Sequence, residues 1–435
     1  MKKVILILYT TLYRTGGDKF TIAAKHLSRL KSTEQPDAEI ICEAVETKNE
    51  FLIKIDEIKK TQQLITEFHF IGHSGMYGIM FGTTDWPEQF SPFEWTQMDI
   101  PFTEDARFYF HACRSGRWFA PFIARTLGVT TYGHFWYTTI STSPHRFSWE
   151  GIKAQDSLYI ISCPGRKSHG LVGSIYKYSG AALAQPMLEF KPDQKNIDAS
   201  YDSVAEMYDT TFSNITVRRH EWQWLAKNLF PLKNKKILDI GCGNGAWLYQ
   251  WAHELDEGVG VDASEGMLEQ ARKRCRKFKN LNFQKITGPH LPFADNSFDA
   301  IVSVLSFRYL DWDPIMQEVL RVLKPGGEIF IVDMVAAPVR WNELLQFFRD
   351  KIQMVLQNFS QRSYMQNLRI MVSSQSWKKM LEYNPIRAEH ELKWYLESRF
   401  KGHKVEIINI GWKSRILAFR SGPINSKKIE RMAFP

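Results

Sequence analysis

The segment Ile237-Leu238-Asp239-Ile240-Gly241-Cys242-Gly243-Asn244-Gly245 joins an apolar run containing a carboxylate to glycines at alternate positions. It reads as a buried strand opening into a tight turn. Glycine there lets the backbone approach a ligand and adopt positive φ, and the helix that follows offers unbonded N–H groups. A second run, Val259-Gly260-Val261, ends at Asp262, about 20 residues on, where a carboxylate can accept from both hydroxyls of a ribose. The chemistry implied is capture of a nucleoside-type cofactor. A different pair stands earlier in the chain. His73 follows Phe68-His69-Phe70-Ile71-Gly72, and Cys113 follows Phe108-Tyr109-Phe110-His111-Ala112. On neighbouring parallel strands, imidazole and thiol would meet at adjacent strand ends, as a Cys–His nucleophilic pair requires. Gly72-His73-Ser74-Gly75 is not a serine-hydrolase elbow, because residue 76 is methionine where the motif needs glycine.

Both constellations need parallel sheets to hold them. In the first part, strands are expected at Val4–Tyr9, Ala38–Ala44, Glu67–Ile71, Arg107–His111, Val129–Tyr132 and Leu158–Ser162, with helices at Lys19–Leu30, Glu50–Ile65 and Trp118–Leu127. Alternation of strand and helix implies a parallel sheet covered on both faces. A polar stretch around Pro192 marks a linker, placed at 186–199. A second series follows, with strands at Lys236–Ile240, Gly258–Asp262, Asn282–Ile286, Ala300–Leu305 and Glu328–Asp333. A long aromatic-rich helical stretch begins at Trp341, and two closing strands lie at Lys404–Ile410 and Ser414–Phe419. The fold class is α/β, two doubly wound sheets in domains 1–185 and 200–435, the second with a helical insert at 341–397.

Composition bounds the rest. The 435 residues are 44% apolar and 24% charged, which excludes a disordered or collagen-like chain, and no apolar run reaches the ~20 residues of a membrane span. The net charge of +9 is uneven. Residues 335–435 carry 18 Lys and Arg against 8 Asp and Glu, and the remainder is nearly neutral. Such an excess suits an acidic substrate, a membrane surface or nucleic acid. With no arginine run interleaved with aromatics, it reads as a solvated basic face, without a nucleic-acid signature. The five cysteines are widely spaced and lack a CxxC pair, which argues against disulfides and a zinc site. Met1-Lys2-Lys3 before Val4–Tyr9 imitates a secretion signal. The apolar run is too short and Arg14, Asp18 and Lys19 follow it, so a cytoplasmic protein is expected.

Several motifs of the second series resemble the class I S-adenosylmethionine (SAM)-dependent methyltransferases, in the branch that methylates small molecules. They are Tyr201-Asp202-Ser203-Val204-Ala205-Glu206-Met207-Tyr208-Asp209, the glycine turn, Asp262-Ala263-Ser264-Glu265-Gly266-Met267-Leu268, Leu291-Pro292-Phe293-Ala294-Asp295-Asn296-Ser297-Phe298-Asp299 and Arg321-Val322-Leu323-Lys324-Pro325-Gly326-Gly327. The resemblance implies SAM as cofactor and a small molecule or protein as methyl acceptor. It places Gly241 and Gly243 at the methionine part, Asp239 at its amino group, Asp262 at the ribose, and Ala263 and Met267 beside the adenine. Ser303 would meet the cofactor from the fourth strand, and Tyr208 would close over it. The family's Gly-Asp-Ala turn is here Ile286-Thr287-Gly288-Pro289, so Thr287 takes the place of the adenine-binding Asp. The acceptor would sit near Arg308 and Tyr309 under the helical insert, with Arg308 either orienting an anionic acceptor or forming a surface salt bridge. The order His73 then Cys113, in Ala-Cys-Arg-Ser-Gly, is similar to the caspase-like cysteine peptidases, including CHAT-type members. That resemblance implies a catalytic His73–Cys113 dyad. The alternative reading is a cysteine peptidase whose second domain is regulatory or substrate-binding.

Overall fold

The computed structural model describes residues 3–75, 77–141, 159–163, 185–192, 201–384 and 386–425, in two compact units, Met1–Asn196 and Ile197–Phe434. The first unit contains β1 (Lys3–Tyr9), α1 (Gly17–Glu34), β2 (Glu39–Ala44), α2 (Lys48–Lys60), β3 (Leu64–Ile71), β4 (Phe102–His111), α3 (Phe119–Leu127), β5 (Thr130–Gly133), the paired strands β6 (Tyr137–Ser141) and β7 (Tyr159–Cys163), and β8 (Leu188–Phe190). Its main sheet has the order β8-β5-β4-β3-β1-β2, parallel except at the β8 edge. β1 shows why its whole length is apolar. Val4, Leu6 and Leu8 pack in one core with Phe51, Ile55 and Ile58 of α2, while Ile5 and Ile7 pack with Ala23 and Ala24 of α1 on the other face. A strand covered on both faces reads as a continuous apolar run.

Two expectations change here. The second helix does not run to Ile65. It ends at Lys60, Gln62 takes φ of 53°, and Leu64-Ile65 open β3 instead, with Ile65 beside Val4. An apolar dipeptide at a helix end fits either period, and pairing with β1 decides it. Nor is 186–199 entirely a linker. Leu188–Phe190 pair antiparallel with Thr131–Gly133, and the Tyr132 hydroxyl donates to Glu189 over 3.0 Å. Residues 193–199 of that stretch lie outside the described residues.

The second unit contains α4 (Ala205–Thr211), α5 (Arg219–Leu229), β9 (Lys236–Ile240), α6 (Ala246–Trp251), β10 (Glu257–Asp262), α7 (Glu265–Cys275), β11 (Leu281–Lys285), β12 (Phe298–Val304), α8 (Trp312–Val322) and β13 (Leu323–Ala336). Then come α9 (Leu344–Ser360), α10 (Arg362–Ser373), α11 (Gln375–Tyr383), α12 (Glu389–Arg399), β14 (Glu406–Ile410) and β15 (Ser414–Arg420). The sheet order is β11-β10-β9-β12-β13-β15-β14, with β15 antiparallel to both its neighbours. The strand order reverses beside β9, so a crevice opens past the carboxyl ends of β9 and β12. The helical insert expected at 341–397 is not a single roof. Leu392, Tyr395 and Leu396 of α12 pack into the sheet core with Phe307 and Ile315, which leaves α9 to α11 as the cover.

Candidate functional site

β9 carries Asp239 into the crevice, and the turn after it alternates left-handed glycines, with φ of 72° at Gly241, 54° at Gly243 and 67° at Gly245. At Gly241 a Cβ would lie 2.3 Å from the Ser306 Cβ, so this position tolerates no side chain. At Gly243 a Cβ would stand 3.2 Å from the Met267 Cε. Asp262, at the end of β10, braces the turn. Its Oδ2 accepts from Gly243 N (2.8 Å) and its Oδ1 from Ser264 N (2.9 Å). Ser264 in turn caps α7, accepting from Met267 N, and donates to Asp202 Oδ1 over 2.5 Å.

Asp239 is 2% exposed, and its Oδ1 is buried without a hydrogen-bond partner. Burial, then the charge of Asp262, pushes its carboxyl up to about 8. Asp262 is also raised, chiefly by burial. Two carboxylates in one low-dielectric site disfavour each other's charge. A cation placed between them relieves that cost and satisfies the orphaned oxygen.

A cleft of about 380 Å³, counted to its open mouth, lies here, lined by Asp239, Gly241, Gly243, Tyr208, Phe212 and Val304 among others. Its far wall is the segment leading into and through α4. Asn244 ties the glycine turn to it, donating to Asp209 Oδ1 (2.9 Å) and Phe212 O (3.1 Å), and Arg274 also binds Asp209. Arg218 donates to the Tyr208 hydroxyl over 2.8 Å and lies 3.9 Å over the Phe212 ring. The insert covers this wall. Trp377 of α11 stands near-parallel to Tyr208 at 6.3 Å and edge-on to Tyr201 at 6.0 Å, and Gln357 of α9 donates to Val217 O. Tyr201 and Tyr309 join through their hydroxyls at 3.3 Å, and burial raises the Tyr201 hydroxyl well above its usual range.

The residues singled out from sequence fall into three groups. Tyr208, Asp239, Gly241 and Gly243 line the cleft, and Asp262 and Met267 adjoin it. Ala263 and Thr287 are exposed beside it, at the ends of β10 and β11. Ser303 is buried, but its hydroxyl donates to Ile240 O (3.0 Å), latching β12 to β9, and the next residue, Val304, faces the cleft. Arg308 is not at the surface. It is buried against Asp333 and stacks on Tyr309, so it is held charged by its partner within the fold. Asn244, Arg218, Asp202 and Trp377 had no separate signal in the sequence, because their roles come from cross-element bonds. Asn244 and Asp202 lie inside the glycine turn and the Tyr201–Asp209 motif, but nothing in those motifs singles them out.

In the first unit, β3 and β4 are adjacent and parallel, with Ile71 opposite His111, so His73 and Cys113 follow equivalent strand ends. The Ser74 hydroxyl binds the Cys113 carbonyl and ties the two segments. The His73 Nε2 lies 3.0 Å from Thr15 O. A carbonyl only accepts, so Nε2 carries a proton in this contact. The Cys113 Sγ accepts from Thr138 N at 3.3 Å and lies 3.2 Å from the Thr138 hydroxyl. Thr138, on β6, was not foreseen from sequence.

Residues 237–327 match the family model described as a methyltransferase domain. The chain is similar to the demethylmenaquinone methyltransferase of Listeria welshimeri, 28% identical over 180 residues, which cover 39% of this chain and 76% of that protein. The protein of the same name from Clavibacter sepedonicus is 34% identical over 155 residues, covering 35% of this chain and 62% of that one. A solved SAM-dependent methyltransferase from Aquifex aeolicus aligns with a TM-score of 0.34 and 19% identity, over 52% of this chain and 99% of that chain.

Proposed function

We propose that the second unit, a class I SAM-dependent methyltransferase domain, transfers a methyl group to a small acceptor that presents a planar ring. The observation that carries the reading is the buried Asp239 carboxyl beside half-buried Asp262 at the glycine turn. The Asp239 Oδ1 is orphaned and both carboxyls are raised by burial, so the site is built for a positively charged ligand. SAM fits this donor set. Its amino group and sulfonium supply the cation for Asp239, its ribose the hydroxyls for Asp262, and Gly243 leaves room for close backbone approach. When bound, SAM supplies an activated methyl group on sulfur. The chain's own contribution is positioning, which accounts for most of the acceleration such a transfer needs.

The acceptor's class follows from the walls beyond the cleft. Tyr201, Tyr208, Tyr309 and Trp377 pack together under α11, a cluster of rings beside the cleft whose faces suit stacking. The acidic groups that would favour a cationic peptide side chain are committed at the glycine turn. The relatives named for a quinone substrate agree with a ring-bearing small molecule.

The test is SAM affinity as a function of pH. At pH 6 the free Asp239 is protonated, and binding a cation must expel that proton, so affinity tightens severalfold between pH 6 and 7. Asp239→Asn flattens this dependence and weakens binding. The variant should melt no lower than the wild type at pH 7.5, because a carboxyl raised by burial costs stability once pH rises above its unfolded value. A pH-independent affinity, equal in both proteins, contradicts the assignment.

A second reading concerns the first unit, as a cysteine peptidase-like centre. It is supported by the strand register that brings His73 and Cys113 to equivalent ends and by Thr138 donating to the sulfur.

A further inference from the structure

Helix α9 turns its apolar side outward. Trp341, just before it, is 90% exposed, and Leu345, Phe348, Ile352, Leu356 and Phe359 are 59–87% exposed. At 3.6 residues per turn these positions, with Val355, fall within an arc of about 100°, the width of a core-facing stripe. Most of the opposite side of the helix is already in place, with Met354 there 41% exposed. Phe347 is buried, Asp350 is buried and accepts from Ile410 N, and Gln357 donates to Val217 O. The stripe therefore lies on a seated helix and is not left over from an unformed core.

Its borders are basic. Arg349 and Lys351 flank the stripe on either side, and Arg362, Arg369, Lys378 and Lys379 follow on α10 and α11. From Leu344 to Met380 these six are opposed by one acid, Asp350, which is buried. On α10, Ile370 and Val372 are also exposed. Among the described residues no helix is long and apolar enough to cross a membrane.

We infer that α9 lies on an anionic lipid surface, with Leu345, Phe348, Ile352, Leu356 and Phe359 inserted below the headgroups and Arg349 and Lys351 held at phosphate level. An outward apolar stripe bordered by cations is the pattern of an interfacial helix, and each basic residue near an anionic leaflet adds attraction. The charge selects this occupant over a second copy of the chain. Two such faces pressed together would bring six cations per copy into contact against one acid each, Asp350, which already lies 3.7 Å from Arg349 Nε. The sequence reading of the basic excess as a plain solvated face is thereby reassigned for this stretch.

The experiment is flotation of the full chain with vesicles of phosphatidylcholine, alone or with about one third phosphatidylglycerol. Binding is expected to the anionic vesicles, at least about tenfold stronger than to the neutral ones, and to weaken as salt rises from about 0.1 to about 0.5 M. Phe348→Asp with Leu356→Asp should lower vesicle binding about tenfold or more. Arg349→Gln with Lys351→Gln should weaken it and flatten its salt dependence. Unchanged SAM affinity in each variant shows that the fold is intact. The inference is overturned if wild type floats with neither vesicle, if the Asp variant binds as wild type does, or if sedimentation shows a dimer that this variant dissociates. None of these outcomes alters the SAM titration, so the methyltransferase reading stands or falls separately.

Discussion

Asp239 shows how one residue can carry both cost and purpose. Its carboxyl is buried with one oxygen unpaired and is pushed up to about 8, so folding favours its neutral form and loses stability as pH rises from about 4 toward 8. The proposed function accounts for that cost through a ligand that needs the ionised form. Cys113 poses a different residue-scale question. Cys42 is raised by burial, Cys242 well above the thiol range, and Cys275 up to about 12, whereas the Cys113 sulfur accepts from Thr138 N. Iodoacetamide near neutral pH should therefore label Cys113 faster than these three, and His73→Ala should remove the advantage if the imidazole shares in stabilising the thiolate. A Cys113 that reacts slowest and ignores the His73 substitution leaves the first unit without a thiol centre.

At the scale of elements, legibility followed from how local each signal was. Strand, glycine turn and acid occupy consecutive residues, so Asp239, Gly241, Gly243 and Asp262 could be read directly. Ser303 shows the limit of that reading. The correct strand was identified, but a period of two puts alternate side chains on opposite faces, and Val304 faces the cleft while Ser303 latches Ile240. The helical stretch after Trp341 was visible by composition, yet its outward apolar face was not, because periodicity gives a stripe and not what lies against it. Arg218 had no signal at all, since its role depends on α4 and the segment before α5 meeting in space. Its bond to Tyr208 and its packing on Phe212 hold the wall of the cleft. Arg218→Ala should weaken SAM binding by about 1–2 kcal/mol, the loss of a part-buried charge-assisted bond, mainly through faster dissociation. Stopped-flow release of SAM at wild-type rate would show that the wall does not depend on it.

The whole molecule joins two α/β units of different charge, and among the described residues the glycine turn and paired acids lie in the second. In the first unit the strands leading to His73 and Cys113 end without a glycine turn of that kind. The basic excess gathers in the last quarter of the chain, where α9 to α11 cover the cleft and face outward with cations and apolar side chains. Covering the site and meeting a surface are thus assigned to opposite sides of the same helices. The account as a whole rests on a single cofactor site per chain. Calorimetric titration of SAM into the full-length protein and into Asp262→Ala tests it most directly. The wild type should bind one equivalent per chain. Asp262→Ala, which removes the brace on Gly243 and the proposed acceptor for two ribose hydroxyls, should bind more weakly by about 1.5–3 kcal/mol, or about tenfold to a hundredfold. Absence of binding heat across buffers, or equal affinity in the two proteins, would contradict the account.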